Sequence, residues 1–188
     1  MMAYRQDLVC CVLVTANLSP SHHYITGFPF EESIRVPLII KDPRMPQNMI
    51  GKTNDDFTLN IDLAPTILSA AGIPVPKVMQ GRDMSDLYMT RQKKSKAANR
   101  AWRDEFYYEW FTRSKETIPA SLALIRKDSK YIVWPDWDDY EQLFRLDNDP
   151  FEEKDLYLSN LTTDKTMLKN MKSRMADLKI LAKSGVPM

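Results

Sequence analysis

The chain has 188 residues, 44% of them apolar and 27% charged, with a formal net charge of +1. That length suits one domain with its own core, or one domain plus a smaller subdomain, and the composition is globular rather than disordered. The near-zero charge removes any general electrostatic ground for nucleic acid or an anionic membrane as partner.

The only two cysteines, Cys10 and Cys11, are adjacent. They cannot staple distant segments and lack the spacing of a zinc site. No apolar run is long enough to span a bilayer. Leu8 to Thr15 is apolar on both alternations, which predicts a strand buried on both faces, as in parallel sheets covered by helices. Leu8 to Ala16 after Arg5 also resembles a short signal-peptide core with Val14-Thr15-Ala16 as cleavage site. Its short length and Asp7 favour the strand. Ala16 to Phe30 is loop-like, with Pro20, Gly27 and Pro29 as breakers.

Val36 to Ile40 predicts a second doubly buried strand, and Arg44 to Asn54 a surface connection. The best-specified helix follows. Asp62 or Asn60 can cap its start, Pro65 falls in the first turn, and Leu63, Ile67, Leu68 and Ala71 form an apolar stripe. Gly72 and Pro74 end it. Pro74 to Asp86 reads as extended or turning, and Tyr88 to Asn99 as a charged surface segment. The basic run Lys93-Lys94-Ser95-Lys96 within it reads as a solvated loop.

Beyond this segment the period changes. Phe106 to Phe111, Ser121 to Arg126, Lys130 to Trp134 and Glu141 to Leu146 read as four short strands. A tight turn at Asp128-Ser129 and another at Asp147-Asn148-Asp149-Pro150 make them an antiparallel meander. Thr163 to Lys183 predicts a long amphipathic helix with Leu168, Met171, Met175, Leu178 and Leu181 on its apolar face, the methionines serving as core.

The chain carries neither a Gly-x-Ser-x-Gly elbow nor a phosphate-binding Gly-rich loop. His22 and His23, the only histidines, are adjacent, so their side chains diverge and a surface role is expected. Asp136, Asp138 and Asp139 admit a cation site or a solvated hairpin turn, with the turn preferred. Asp147, Asp149, Glu152 and Glu153 surround Pro150 and read as turn chemistry. Glu109, among Tyr107, Tyr108 and Trp110, has the chemistry to hydrogen-bond a sugar hydroxyl, set against the simpler reading of an outward-facing strand residue. Asn17-Leu18-Ser19 and Asn160-Leu161-Thr162 fit the glycosylation sequon.

Several of these stretches together carry a family resemblance. They are Glu31-Glu32-Ser33-Ile34-Arg35-Val36-Pro37-Leu38-Ile39-Ile40, Asp62-Leu63-Ala64-Pro65-Thr66-Ile67-Leu68, Ala71-Gly72-Ile73, Met79-Gln80-Gly81-Arg82-Asp83, Trp102-Arg103, Phe106-Tyr107-Tyr108-Glu109, Ile125-Arg126, Lys130-Tyr131-Ile132, Gln142-Leu143-Phe144-Arg145-Leu146, Asp149-Pro150-Phe151-Glu152 and Asp155-Leu156. In this order they resemble the C-terminal part of the sulfatase family, from about Phe28 onward. The resemblance implies an alkaline-phosphatase-like α/β fold with a small C-terminal subdomain, and hydrolysis of sulfate esters or sulfamates, often on glycans. It implies a formylglycine beside a calcium ion held by Asp and Asn side chains.

This chain departs from that pattern at the chemistry. The formylglycine signature Cys-x-Pro-x-Arg is absent, since Val12, Leu13 and Val14 follow the cysteines. The family's metal-binding aspartates would lie upstream of Met1. Asn17 is the nearest thing to a ligand in the later metal motif, and Thr26 stands about where the family places a Lys. Arg35 is expected to be structural and paired with a carboxylate.

The expectation is therefore an α/β remnant over residues 1–90, the end of an alkaline-phosphatase-like sheet plus a helix. An α+β subdomain of four antiparallel strands and a long C-terminal helix follows over 91–188. The expected function is that of a sulfatase C-terminal fragment, inactive alone. It has no catalytic or metal-binding residues of its own, and Glu109 and Trp110 form part of a substrate-cleft wall. A sulfated glycan and the N-terminal sulfatase half are the implied partners, and calcium is the implied cofactor of the parent. The alternative is a non-catalytic glycan-binding or partner-completing module.

Overall fold

The computed structural model describes the backbone of residues 10–13 together with residues 27–89, 101–111 and 118–184. Contacts group the described residues into two units. Residues 38–89 and 101–103 with the 10–13 strand form the first, and residues 27–37 with 104–183 form the second. The expected boundary between residues 90 and 91 lies outside the described residues.

The second unit is built on a meander. Strands β3 (Glu105–Trp110), β4 (Ser121–Arg126), β5 (Ser129–Trp134) and β6 (Tyr140–Arg145) pair in sequence order, all antiparallel. The β4–β5 turn is centred on Lys127 and Asp128, one residue earlier than expected, because Ser129 already pairs with Arg145. Alternation along paired strands assigns side chains to two faces. One face carries Trp110, Ser121, Trp134 and Tyr140 in a row at one end, and Ile125, Lys130 and Phe144 near the other. The opposite face carries Tyr107, Leu124, Tyr131 and Leu143.

Each face has its own cover. Helix α4 (Thr162–Ser184) buries Asp164, Met171 and Leu178, a seven-residue spacing that makes a narrow stripe. Leu181, expected on that stripe, is 37% exposed. Arg174 reaches Glu105, Lys172 reaches Glu141, and Arg145 reaches Asp164 at 3.0 Å, so ion pairs flank the stripe along the sheet. The other face is covered by residues 27–37, an arm that includes the short helix α1 (Glu31–Ile34). Phe28 and Phe30 meet the Trp134 ring at centroid distances of 5.7 and 6.1 Å, and Phe30 also meets Phe144.

In the first unit, β1 (Cys10–Leu13) pairs antiparallel with β2 (Leu38–Lys41). The parallel, doubly buried pair expected from the apolar runs is not formed. Along β2, burial alternates and Ile39 is 60% exposed, as in a strand with one covered face. Helix α2 (Leu63–Ala70) ends as its sequence dictates. Gly72 takes φ +71°, with Gly72 N–H donating to Ser69 and Ile73 N–H to Leu68, which closes the helix with a left-handed cap.

Its buried face differs from the expected stripe. Pro65 and Thr66 are buried while Ile67 is 52% exposed, because Thr66 faces the fully buried Met84 at the start of the short helix α3 (Ser85–Tyr88). The Thr66 hydroxyl donates to Asp62 O at 2.7 Å and accepts Met84 N–H at 2.9 Å.

Candidate functional site

The two residues expected to line a cleft sit at the end of β3, an edge strand. They are neighbours in sequence and therefore project to opposite faces of the sheet. On the helix-covered face, Tyr107 donates its hydroxyl to Glu109 Oε1 at 3.1 Å. Burial, reinforced by the Glu109 carboxylate, pushes the Tyr107 hydroxyl well above its ordinary range. On the arm-covered face, Trp110 lies against Gly27, whose φ is +116°. A Cβ there would meet indole carbons Cε2 and Cζ2 at 3.0 Å, so the absence of a side chain lets the arm pass over the ring. Tyr108 fixes the same crossing by donating to Gly27 O at 3.0 Å, and burial pushes its hydroxyl up to about 12. The Trp110 Nε1–H and the hydroxyl of Ser121, directly opposite in the register, are both buried without a hydrogen-bond partner among the described residues. A ligand on either face would meet one of the two residues; a ligand along the strand edge would meet both.

The stretches that carry the family likeness converge elsewhere, on two buried ionic clasps. In the second unit, Lys130 is fully buried on the arm-covered face. Its ammonium lies 2.8 Å from Glu31 Oε1 and 2.7 Å from Glu152 Oε1, and donates to Pro29 O at 2.8 Å. Glu152 also accepts Glu31 N–H at 2.6 Å. Burial raises the Glu152 carboxyl above its ordinary value against the pull of the Lys130 ammonium. One cation thus satisfies the arm and the turn after β6 together, and each partner covers a charge that burial alone would forbid. Glu152 was expected to serve turn chemistry; Asp149 fills that role, accepting Glu153 and Lys154 N–H. Arg35 was expected to pair with a carboxylate, but it lies exposed at the end of α1, and Glu31 of the same motif engages Lys130.

The second clasp lies in the first unit. Asp62, fully buried, holds the Arg103 guanidinium through both carboxylate oxygens. It also accepts Leu59 N–H and Arg82 N–H, each at 2.7 Å. Gly81 precedes that contact, and a Cβ on it would fall 1.9 Å from Ile61 O. Trp102 donates to Phe57 O at 2.8 Å and lies beneath both Arg82 and Arg103 at 5.7 and 5.1 Å. Asp62 was expected as a helix cap; its side chain makes no capping bond at α2 itself, but by accepting Leu59 N–H it caps the short 3-10 turn Asn60–Asp62 that leads into α2, and it anchors three segments. A third acid, Asp42, is buried after β2, where its hydrogen bond with Arg44 holds its carboxyl below the usual range.

Asp136, Asp138 and Asp139 occupy the β5–β6 turn, where Asp138 and Asp139 take left-handed φ values of 52° and 54°. Asp136 is occupied accepting Ala120 N–H at 2.7 Å. Among the described residues no group of three or more His, Cys, Asp or Glu side chains is placed to hold a metal ion. These donors do not fit calcium. His22, His23, Asn17 and Thr26 lie outside the described residues, as does the basic run of residues 93–96. Lys130 was expected in a strand and Glu152 in a turn; their pairing with each other and with Glu31 was missed. A signal for Lys130 was present: it shares a strand alternation with Ile132 and Trp134, which places a lysine on an apolar face.

The profile of the C-terminal region of N-sulphoglucosamine sulphohydrolases matches residues 22–180. An extracellular sulfatase SULF-1 homolog of Drosophila melanogaster is 38% identical over 102 residues, 53% of this chain and 9% of that protein. An N-acetylglucosamine-6-O-sulfatase of Bacteroides thetaiotaomicron is 30% identical over 132 residues, 69% of this chain and 22% of that protein. The chain therefore spans less than a quarter of the length of either relative. A solved complex of another protein with its substrate D-glucosamine-2-N,6-O-disulfate superposes with a TM-score of 0.67 at 26% identity. That match covers 84% of this chain and 30% of that one.

Proposed function

Because the chain belongs to the sulfatase family, as its C-terminal region, we propose that it completes the fold of a sulfuric ester hydrolase and walls one side of the substrate cleft. The observation that carries this reading is the pair of clasps. The family's sequence motifs are used here to lock arm to sheet and helix to loop, through Glu31, Lys130 and Glu152 and through Asp62, Arg82 and Arg103. None of them is spent on a nucleophile or a metal.

In this reading residues 1–90 supply the end of the large alkaline-phosphatase-like α/β domain and residues 91–188 the small subdomain. The wall is the exposed end of edge strand β3, with Glu109 accepting from sugar hydroxyls and Trp110 shaping the rim. The parent's substrate class is a sulfated glucosamine-type glycan, by analogy with the relatives. The nucleophile and calcium belong to the N-terminal half, and no step of sulfate transfer is assigned to this chain. The exposed apolar residues of the first unit favour a related reading in which the chain completes a separate partner, with Ile39 60%, Ile67 52% and Val78 80% exposed.

The test is sulfate release from aryl and glycan sulfates with calcium present. The chain alone is expected to release none, and co-expression with a sulfatase N-terminal half is expected to yield activity that neither part has. Turnover by the isolated chain above a heat-inactivated control would overturn the proposal.

A further inference from the structure

The β5–β6 turn takes no part in either clasp or in the proposed cleft wall, yet it holds an aromatic surface in place. Trp137 lies on Trp134 with ring centroids 5.1 Å apart and planes 26° apart. Trp134 is 1% exposed and its Nε1–H donates to Gln142 Oε1 at 2.8 Å, so the ring beneath Trp137 is locked. Trp137 itself is 51% exposed: one ring face is stacked and much of the rest is open. Tyr140 pairs with Trp134 in the register, is 47% exposed, and donates its hydroxyl to Asp155 at 3.3 Å. In the chain between Trp137 and Tyr140 come Asp138 and Asp139, both exposed. Neither carboxylate forms an ion pair or hydrogen bond among the described residues.

We infer that this turn binds an amine-bearing sugar unit, a hexosamine with a free amino group, with Trp137 against the ring and Asp138 and Asp139 on its ammonium and hydroxyls. A prefixed aromatic face offers the C–H side of a pyranose a flat contact with little ordering cost. Ionised carboxylates are strong acceptors for N–H and O–H donors, and an indole face attracts an ammonium. The same carboxylates repel sulfate, so the unit bound here is not the one that carries the ester. The inference does not rest on the sulfatase reading, because it needs neither the N-terminal half nor any turnover.

The full chain would be titrated with a glucosamine tetramer, its N-acetylated counterpart, a heparin tetrasaccharide, spermidine and calcium chloride, followed by calorimetry and tryptophan fluorescence. The expected result is saturable binding of the glucosamine tetramer, about tenfold weaker binding of the N-acetylated one, and none of the heparin fragment. Trp137→Ala should weaken binding by about tenfold while its thermal unfolding stays that of the parent. Trp137→Tyr, which restores a ring, should recover most of the affinity, and Asp138→Asn with Asp139→Asn should abolish the preference for the free amine. No saturable binding of the glucosamine tetramer would overturn the inference. So would unchanged affinity in Trp137→Ala, or spermidine or calcium binding as tightly as the tetramer.

Discussion

Both units expose large apolar side chains, but among the described residues they differ in how much apolar core they bury. In the second, Ala123, Leu124, Ile125, Ile132, Leu143 and Phe144 are at most 1% exposed, because a helix closes one sheet face and the arm closes the other. In the first, Ile39, Ile50, Ile61, Ile67, Ile73 and Val78 are 44–80% exposed, and Met84 is the only apolar side chain of the six positions 84–89 that is fully buried. The second unit has a core of its own kind, layered on both sides. The first is held chiefly by polar anchors, Asp62 with Arg103 and Asp42 with Tyr88 and Arg44, and leaves apolar surface of the kind that partners cover. The second unit thus rests on a layered apolar core and the first on polar anchors.

Breaking the clasps should give the largest effects, each confined to its own unit. Lys130→Met strands the buried Glu152 carboxylate in the interior of the second unit and unpairs the partly exposed Glu31. Removing one partner of a buried pair costs about 3–5 kcal/mol. Arg103→Met should do the same to the first unit, and urea unfolding followed by unit-specific probes separates the two. Next comes Gly81→Ala, whose Cβ would lie 1.9 Å from a backbone carbonyl. Backbone cannot swing aside as a side chain does, so a loss of about 1–3 kcal/mol is expected in the first unit alone.

A smaller effect distinguishes the units by pH. The Glu152 carboxyl is raised above its usual value of 4.5 in the folded chain, so folding takes up a proton there. Its contribution to stability is therefore full below about pH 4.5 and lost as pH rises through the raised folded value. Asp42, which is lowered, has the opposite sign: its contribution is present above the ordinary value of 3.8 and lost as pH falls. Unfolding curves of wild type and Glu152→Gln across this range should diverge with rising pH in the variant's favour. Parallel curves would remove Glu152 from the account. The smallest stability effect belongs to Ile67→Lys with Val78→Lys, within about 0.5 kcal/mol each, yet binding of a hydrophobic dye should fall clearly.

What could be read from the sequence follows the reach of its interactions. The four strands and α4 were legible almost to the residue, since alternation, turns and helix ends are local signals. Gly72 announced its left-handed cap for the same reason. The arm was not legible as an arm: Glu31 meets Glu152 across 121 positions and Lys130 meets Pro29 across 101, and no local pattern records such a partner. Ile67 misled because an apolar stripe reports a face that prefers cover, not which part of the chain covers it. Glu109 and Trp110 were expected in one cleft wall; strand geometry sends such neighbours to opposite faces, so a common ligand would reach both along the strand edge.

The contrast between the units is tested most directly by native-state hydrogen exchange resolved along the chain. The account predicts that amides of β4 and β5 exchange only through global unfolding of the second unit, while those of β2 and α2 open at distinctly lower free energy. Equal protection of β2, α2, β4 and β5 in the isolated chain would contradict it.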